Sequence, residues 1–131
     1  MSSRTYALLI VALTVFSPLK GQQSALEREA LFVRNLATKL RFISLAQSEV
    51  DRMKQRYKDS TDFQSVAQLG IEISLLGAKA HPNRAEKRTL YQDALERCQQ
   101  FLERYSDGPA ALGARMTLAD ASLEFGKFLA D

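Results

Sequence analysis

Two short patterns occur twice in this sequence, and the two copies of each lie 48 or 49 residues apart. The first is a leucine next to a small residue, with a glycine eight positions after the leucine: Leu69, Gly70 and Gly77, then Leu118, Ala119 and Gly126. The second is an alanine with apolar residues four and seven positions later: Ala46, Val50 and Met53, then Ala94, Cys98 and Phe101. A period of this length is typical of stacked helix pairs. The repetition therefore predicts an all-α fold.

Five segments carry apolar residues at the spacing of one helix face, which predicts about five helices. A polar turn at 58–62 and a break at Pro82 separate the later segments. Asn83 with Glu86 makes a capping-box pattern, and Pro109 stands where a helix tolerates proline, at its first position. The predicted helices cover 25–40, 44–57, 63–80, 84–105 and 109–129.

Periodicity does not place the boundary between the first two helices. Ser44 with Gln47 makes another capping-box pattern and predicts that a new helix begins there. The apolar spacing is equally compatible with one long helix over residues 25–57.

The first 21 residues resemble a secretory signal peptide. Arg4 supplies a positive start, residues 6–16 (YALLIVALTVF) are apolar, and Ser17 and Pro18 interrupt the run. That core is too short for a membrane span, which needs about 20 residues, and it fits the 7–15 residues of a signal core. We expect residues 1–21 to be cleaved on export, with membrane contact only through this segment. The alternative is an uncleaved short anchor or an amphipathic start to the first helix.

The charge balance argues against nucleic acid as a partner. The formal net charge is +3, but Arg4 and Lys20 belong to the predicted signal peptide, which has no acidic residue. Without those two, the remaining chain has 16 basic residues (18 − 2) and 15 acidic residues, a net charge of +1. Binding to a nucleic-acid duplex needs a clustered basic footprint.

No set of residues predicts catalysis, a cofactor or a metal. Cys98 is the only cysteine, so no intramolecular disulfide can form, and it lies on an apolar helical stripe typical of a buried core residue. His81 is the only histidine and precedes Pro82 in a predicted turn, without a second ligand at helical spacing. Roughly 20 Å of helical rise separates His81 from Cys98, so they cannot form a catalytic pair. We expect a protein that is not an enzyme.

The repeated patterns resemble those of tetratricopeptide-repeat proteins, especially the degenerate repeats of exported bacterial envelope proteins. In that family the first helix of each pair carries the Leu–small pair and the end glycine, as at Leu69, Gly70 and Gly77. The second helix carries the small alanine with its two apolar followers, as at Ala46, Val50 and Met53. Residues 101–109 (FLERYSDGP) resemble the linkage between repeats in such proteins. The resemblance implies an α-solenoid of antiparallel helix hairpins, whose usual role is to bind peptides or proteins.

The resemblance divides residues 22–131 into roughly two and a half repeats. The first hairpin covers 22–57, the second covers 60–106, and residues 108–131 form the unpaired first helix of a third repeat. That last helix has more apolar residues than one neighbour can cover: Met116, Leu123, Phe125, Phe128 and Leu129. We expect either further repeats or a partner, including a second copy, on this helix. The alternative is a monomer whose last helix packs back on the domain.

Two functions follow from these expectations. The leading one is an exported, non-enzymatic scaffold in the bacterial envelope or periplasm that binds a protein or peptide through a groove between helices. The alternative is a small helical oligomerisation or coiled-coil module. A helix break near residues 41–44 distinguishes them, because the scaffold requires it and the coiled coil forbids it.

Overall fold

The computed structural model describes residues 24–131, and this part of the chain contains helices and no strand. The helices are α1 (Ala25–Thr38), α2 (Ile43–Arg56), α3 (Phe63–Ala80), α4 (Arg84–Arg104) and α5 (Pro109–Ala130). The prediction of an all-α fold with five helices is confirmed for these residues. The predicted signal peptide, residues 1–21, lies outside the described part of the chain.

Polar side chains cap two of the helices at their first turn. At α1 the Ser24 hydroxyl accepts a hydrogen bond from the Glu27 amide (3.1 Å), and the Ser24 amide donates to the Glu27 carboxylate (3.1 Å). At α4 the Asn83 side chain accepts from the Glu86 amide (3.0 Å). The reciprocal half of that predicted capping box does not form, because the Glu86 carboxylate contacts His81 Nε2 instead (3.0 Å).

The chain breaks between α1 and α2, so the alternative of one long helix over 25–57 is wrong. Arg41 adopts a left-handed conformation with φ of 56°, and the Phe42 amide donates to the Leu36 carbonyl (2.8 Å). The predicted capping box of Ser44 and Gln47 is also wrong. Helix α2 begins at Ile43 with Phe42 as its cap, and Ser44 lies inside the first turn, where its carbonyl accepts from the Ser48 hydroxyl (3.0 Å).

Helix α3 is the centre of the fold. Each helix packs against the next in the chain, and α3 also contacts α1 and α5, whereas α2 and α4 do not contact each other. One apolar cluster joins α1, α2 and α3, and a second joins α3, α4 and α5. The first contains Val33, Leu36, Ala37, Ala46, Val50, Met53, Val66, Leu69 and Ile73; the second contains Ile71, Cys98, Phe101, Ala110 and Ala114. Opposite faces of α3 therefore close two cores, which leaves an open space between α2 and α4.

Among the described residues, no helix combines the length and apolarity that crossing a bilayer requires.

Candidate ligand-binding groove

The open space between α2 and α4 is a groove whose floor is α3. It consists of two adjoining cavities of about 610 and 780 Å³, and Gln47, Ser74 and Arg97 line both. One end lies at Phe63 and Tyr105, and the other lies at Pro82. The 18 residues of α3 give a floor about 27 Å long.

Small residues make the floor of the groove and let α2 lie close to α3. Gly70 and Gly77 line it together with Ala67 and Ala78. A Cβ atom added at Gly70 would lie 3.2 Å from the Val50 Cγ1 atom. A Cβ atom at Gly77 would lie 3.1 Å from a methyl group of Ile43. Both distances are shorter than ordinary carbon contacts of about 3.5–4.0 Å, so these glycines permit the close approach of α2.

The half of the groove nearest Tyr105 carries an excess of positive charge. Lys54, Arg97 and Arg104 line it, against a single carboxylate from Asp51. Lys54 and Arg97 make no ion pair or hydrogen bond with the described residues. Arg104 has only the face of the Tyr105 ring, with its guanidinium carbon 5.5 Å from the ring centre.

Some cations elsewhere on the described surface do form ion pairs. Arg34 donates to the Glu72 carboxylate at 3.0 Å, and Lys79 donates to Glu124 at 2.7 Å. The hydrogen bond to Glu124 raises the pKa of Lys79. These pairs bridge α1 to α3 and α3 to α5, so they tie the fold together. The groove cations have no such task, which leaves them available to a ligand.

The other half of the groove is balanced in charge and contains the only histidine. The amide of Asn83 donates to His81 Nδ1 (3.3 Å), so the ring proton lies on Nε2, which faces the Glu86 carboxylate at 3.0 Å. His81 is therefore held in a hydrogen-bonded turn and is not a freely solvated residue. No group of three histidine, cysteine or acidic residues in the described part of the chain could hold a metal ion.

Cys98 lies beneath the groove in the second core cluster and is fully buried. Its thiol donates to the Ala114 carbonyl oxygen at 3.2 Å. Burial raises the pKa of the thiol, which opposes the thiolate form that nucleophilic chemistry requires. The environment of Cys98 is that of a small core residue.

The two copies of the leucine pattern occupy different environments. Leu69 is buried in the first cluster, whereas Leu118 is half-buried against the second, and Ala119 and Gly126 are exposed. Nothing lies within 4 Å of a Cβ atom placed at Gly126. On α5 it is Phe125, one position before Gly126, that contacts α4 through Tyr91. One residue rotates a helix face by about 100°.

The copies of the alanine pattern are buried on both helices. Ala46, Val50 and Met53 on α2 and Ala94, Cys98 and Phe101 on α4 are all 6% exposed or less. Val50 faces α3 across Gly70, and Cys98 faces α5 through the Ala114 carbonyl. The two helices thus use equivalent positions to contact the helix that follows.

The apolar residues predicted at an interface on α5 divide into two groups. Phe125 and Phe128 stack with Tyr91 of α4, with ring centres 5.4 and 6.0 Å apart, and the Arg84 guanidinium lies 4.6 Å from the centre of the Phe128 ring. Met116, Leu123 and Leu129 are exposed by 63%, 61% and 47%. Leu112, which the sequence analysis did not single out, is exposed by 60% on the same helix.

No family model, curated protein or solved structure matches the chain. The geometry itself therefore has to indicate what the groove can do. It offers an apolar floor, with cations on the walls that α2 and α4 form. Such a surface can hold an extended or helical segment of another polypeptide.

The groove cations were not predicted from the sequence. Arg97 and Arg104 lie seven residues apart and so share a face of α4, which was a usable signal. Lys54 joins them only because α2 and α4 pack on the same helix. The order of charged residues along the sequence does not show that these two helix faces line the same groove.

Proposed function

We propose that this protein is a non-enzymatic scaffold that binds an acidic segment of a partner polypeptide in the groove between α2 and α4. The observation that carries the proposal is the set of unpaired cations, Lys54, Arg97 and Arg104, beside a floor of small and apolar residues. The floor would hold apolar side chains of the segment while its carboxylates face the cations. At about 27 Å, the groove spans about eight residues of extended chain or five turns of helix.

The arrangement of the helices supports a tetratricopeptide-like interpretation of the scaffold. Each helix packs against the next one in the chain, and α3 also contacts both α1 and α5. This is the order expected when helix hairpins stack along one axis. In this proposal residues 22–57 and 60–106 are two hairpins, and α5 opens a third repeat.

The alternative, a small helical oligomerisation or coiled-coil module, has less support. It required one uninterrupted helix over residues 25–57, and the chain reverses between α1 and α2 at Arg41. We propose further that the scaffold is exported to the cell envelope or periplasm through residues 1–21. The support for export is the short apolar core at residues 6–16 with its positive start.

The test is peptide selection followed by matched charge reversal. A random peptide library displayed on phage is panned against the purified protein, and enriched peptides are measured by fluorescence anisotropy. We expect enriched peptides to be acidic and to bind more weakly as salt rises from 50 to 300 mM, because salt screens exposed charges. Arg97→Glu should weaken binding about threefold to tenfold, since each exposed ion pair contributes up to about 1 kcal/mol and reversal adds repulsion.

Arg88→Glu is the matched control. Arg88 lies on the same helix, is exposed and does not line either cavity of the groove. The same change of charge at that position should leave peptide affinity within twofold. Equal losses from both variants would show that the peptides respond to net charge and not to the groove, and the proposal would fail.

A further inference from the structure

Helix α5 presents a continuous apolar stripe to solvent. Its members recur at spacings of 4, 3, 4, 3 and 4 residues, so they share one helix face. They are Leu112, Met116, Ala119, Leu123, Gly126 and Ala130, and all are exposed. The three large side chains are each at least 60% exposed. The stripe contains no charged residue, and no other described helix covers it.

The corresponding face of α3 is covered by another helix. Cys98 on α4 occupies the position that Val50 occupies on α2, an offset of 48 residues (98 − 50). With that offset, Ala119 and Leu123 correspond to Ile71 and Leu75, which pack in the second core cluster with residues of α4 and α5. The α5 stripe is therefore the counterpart of a face that following helices cover elsewhere in the same chain.

The order of large and small residues along the stripe makes it complementary to itself. When two copies of α5 run antiparallel around a two-fold axis at position 121, residues whose numbers sum to 242 face each other. Leu112 then faces Ala130, Met116 faces Gly126, and Leu123 faces Ala119. Every large side chain lies opposite a small one, which is the arrangement that lets two helices pack closely.

We infer that the protein forms an antiparallel two-fold dimer through the α5 stripe. The contact is isologous, so it closes on itself and does not propagate into a fibre. The stripe extends over 18 residue steps, about 27 Å. One helix pair of that length lies at the low end of specific interface sizes, so the dimer should dissociate on dilution. This inference does not depend on the peptide-binding groove.

Sedimentation velocity of the full chain over a concentration series tests the dimer. We expect a monomer–dimer equilibrium for the unaltered protein, and Leu123→Glu should weaken it at least tenfold by placing a charge at the centre of the contact. Phe32→Glu is the matched control, because Phe32 on α1 is 56% exposed and lies outside the stripe. A protein that stays monomeric at all concentrations overturns the inference. If Phe32→Glu weakens the dimer as much as Leu123→Glu does, the inference is also overturned, because the contact would then include α1.

Cysteine crosslinking tests the register. In the proposed dimer, position 116 faces position 126 of the other copy, whereas the two copies of position 116 lie about 15 Å apart, beyond the roughly 7 Å limit for a disulfide. Mixing Met116→Cys with Gly126→Cys under oxidation should give heterodimers, with few homodimers from either variant alone. Cys98 does not compete because it is buried. Homodimers of Met116→Cys alone would indicate a parallel pair and contradict the proposed geometry.

Discussion

Glycine-to-alanine changes on the helices measure how much of the fold depends on close contact between α2 and α3. Within a helix, alanine is more favourable than glycine by about 1 kcal/mol. At Gly126, where nothing lies within 4 Å of the added Cβ atom, that gain should be realised almost fully. At Gly70, the same atom would lie 3.2 Å from Val50, which is 2% exposed. Val50 is β-branched and has one strongly preferred rotamer in a helix, so α2 itself must shift.

The expected magnitudes follow from these environments. Overpacking a core typically costs about 1–3 kcal/mol, so Gly70→Ala should change the free energy of unfolding by about 0 to −2 kcal/mol after the gain in helix propensity. Gly126→Ala should raise it by about 0.5–1 kcal/mol. Gly113→Ala is a second control, because its Cβ atom would overlap only the terminal amide of Gln68, which can rotate away. We expect Gly113→Ala to be stabilising like Gly126→Ala.

Thermal unfolding followed by circular dichroism at low protein concentration separates these outcomes. One kcal/mol corresponds to about 4–8 °C in Tm for a domain of roughly this size. Gly70→Ala should therefore melt several degrees below Gly126→Ala. If Gly70→Ala raises Tm as much as Gly126→Ala does, α2 does not restrict the space at Gly70, and the reasoning about the close contact is wrong.

Three further predictions concern single side chains. Tyr91→Ala should lower the free energy of unfolding by about 3 kcal/mol in chemical denaturation, because Tyr91 is 3% exposed and stacks with both Phe125 and Phe128; a loss below 1 kcal/mol would contradict that packing. Arg41→Gly should raise Tm, because Arg41 adopts a left-handed conformation that costs a non-glycine residue about 1 kcal/mol. An unchanged or lower Tm would contradict this prediction. Burial raises the pKa of Cys98 above its ordinary 9.0, so the native state holds its proton more tightly than the unfolded chain and stability is lost as pH rises above 9.0. Above that pH, the free energy of unfolding of the unaltered protein should therefore fall relative to that of Cys98→Ala. A difference between the two proteins that does not change with pH would contradict the raised pKa of Cys98.

The amino-acid sequence by itself determined where most helices begin and end. Asn83 and Pro109 mark the starts of α4 and α5 through local chemistry, a side chain that accepts from a backbone amide and a ring that needs no amide partner. The apolar spacing likewise indicated which residues of α2 and α4 are buried. These features depend on contacts within about four residues, so they can be read from a short segment of chain.

Tertiary structure decided how each helix is rotated against its neighbours. Ser44 has the pattern of a helix cap, but the chain turns earlier, at Arg41, because Val33 and Leu36 of α1 pack in the same cluster as residues of α2. Gly126 resembles Gly77 in sequence, yet only Gly77 lies against a neighbouring helix. A periodic pattern defines a face but not its partner, and a shift of one residue turns that face by about 100°. The groove and the α5 stripe both result from these rotations, which depend on contacts between residues far apart in the chain.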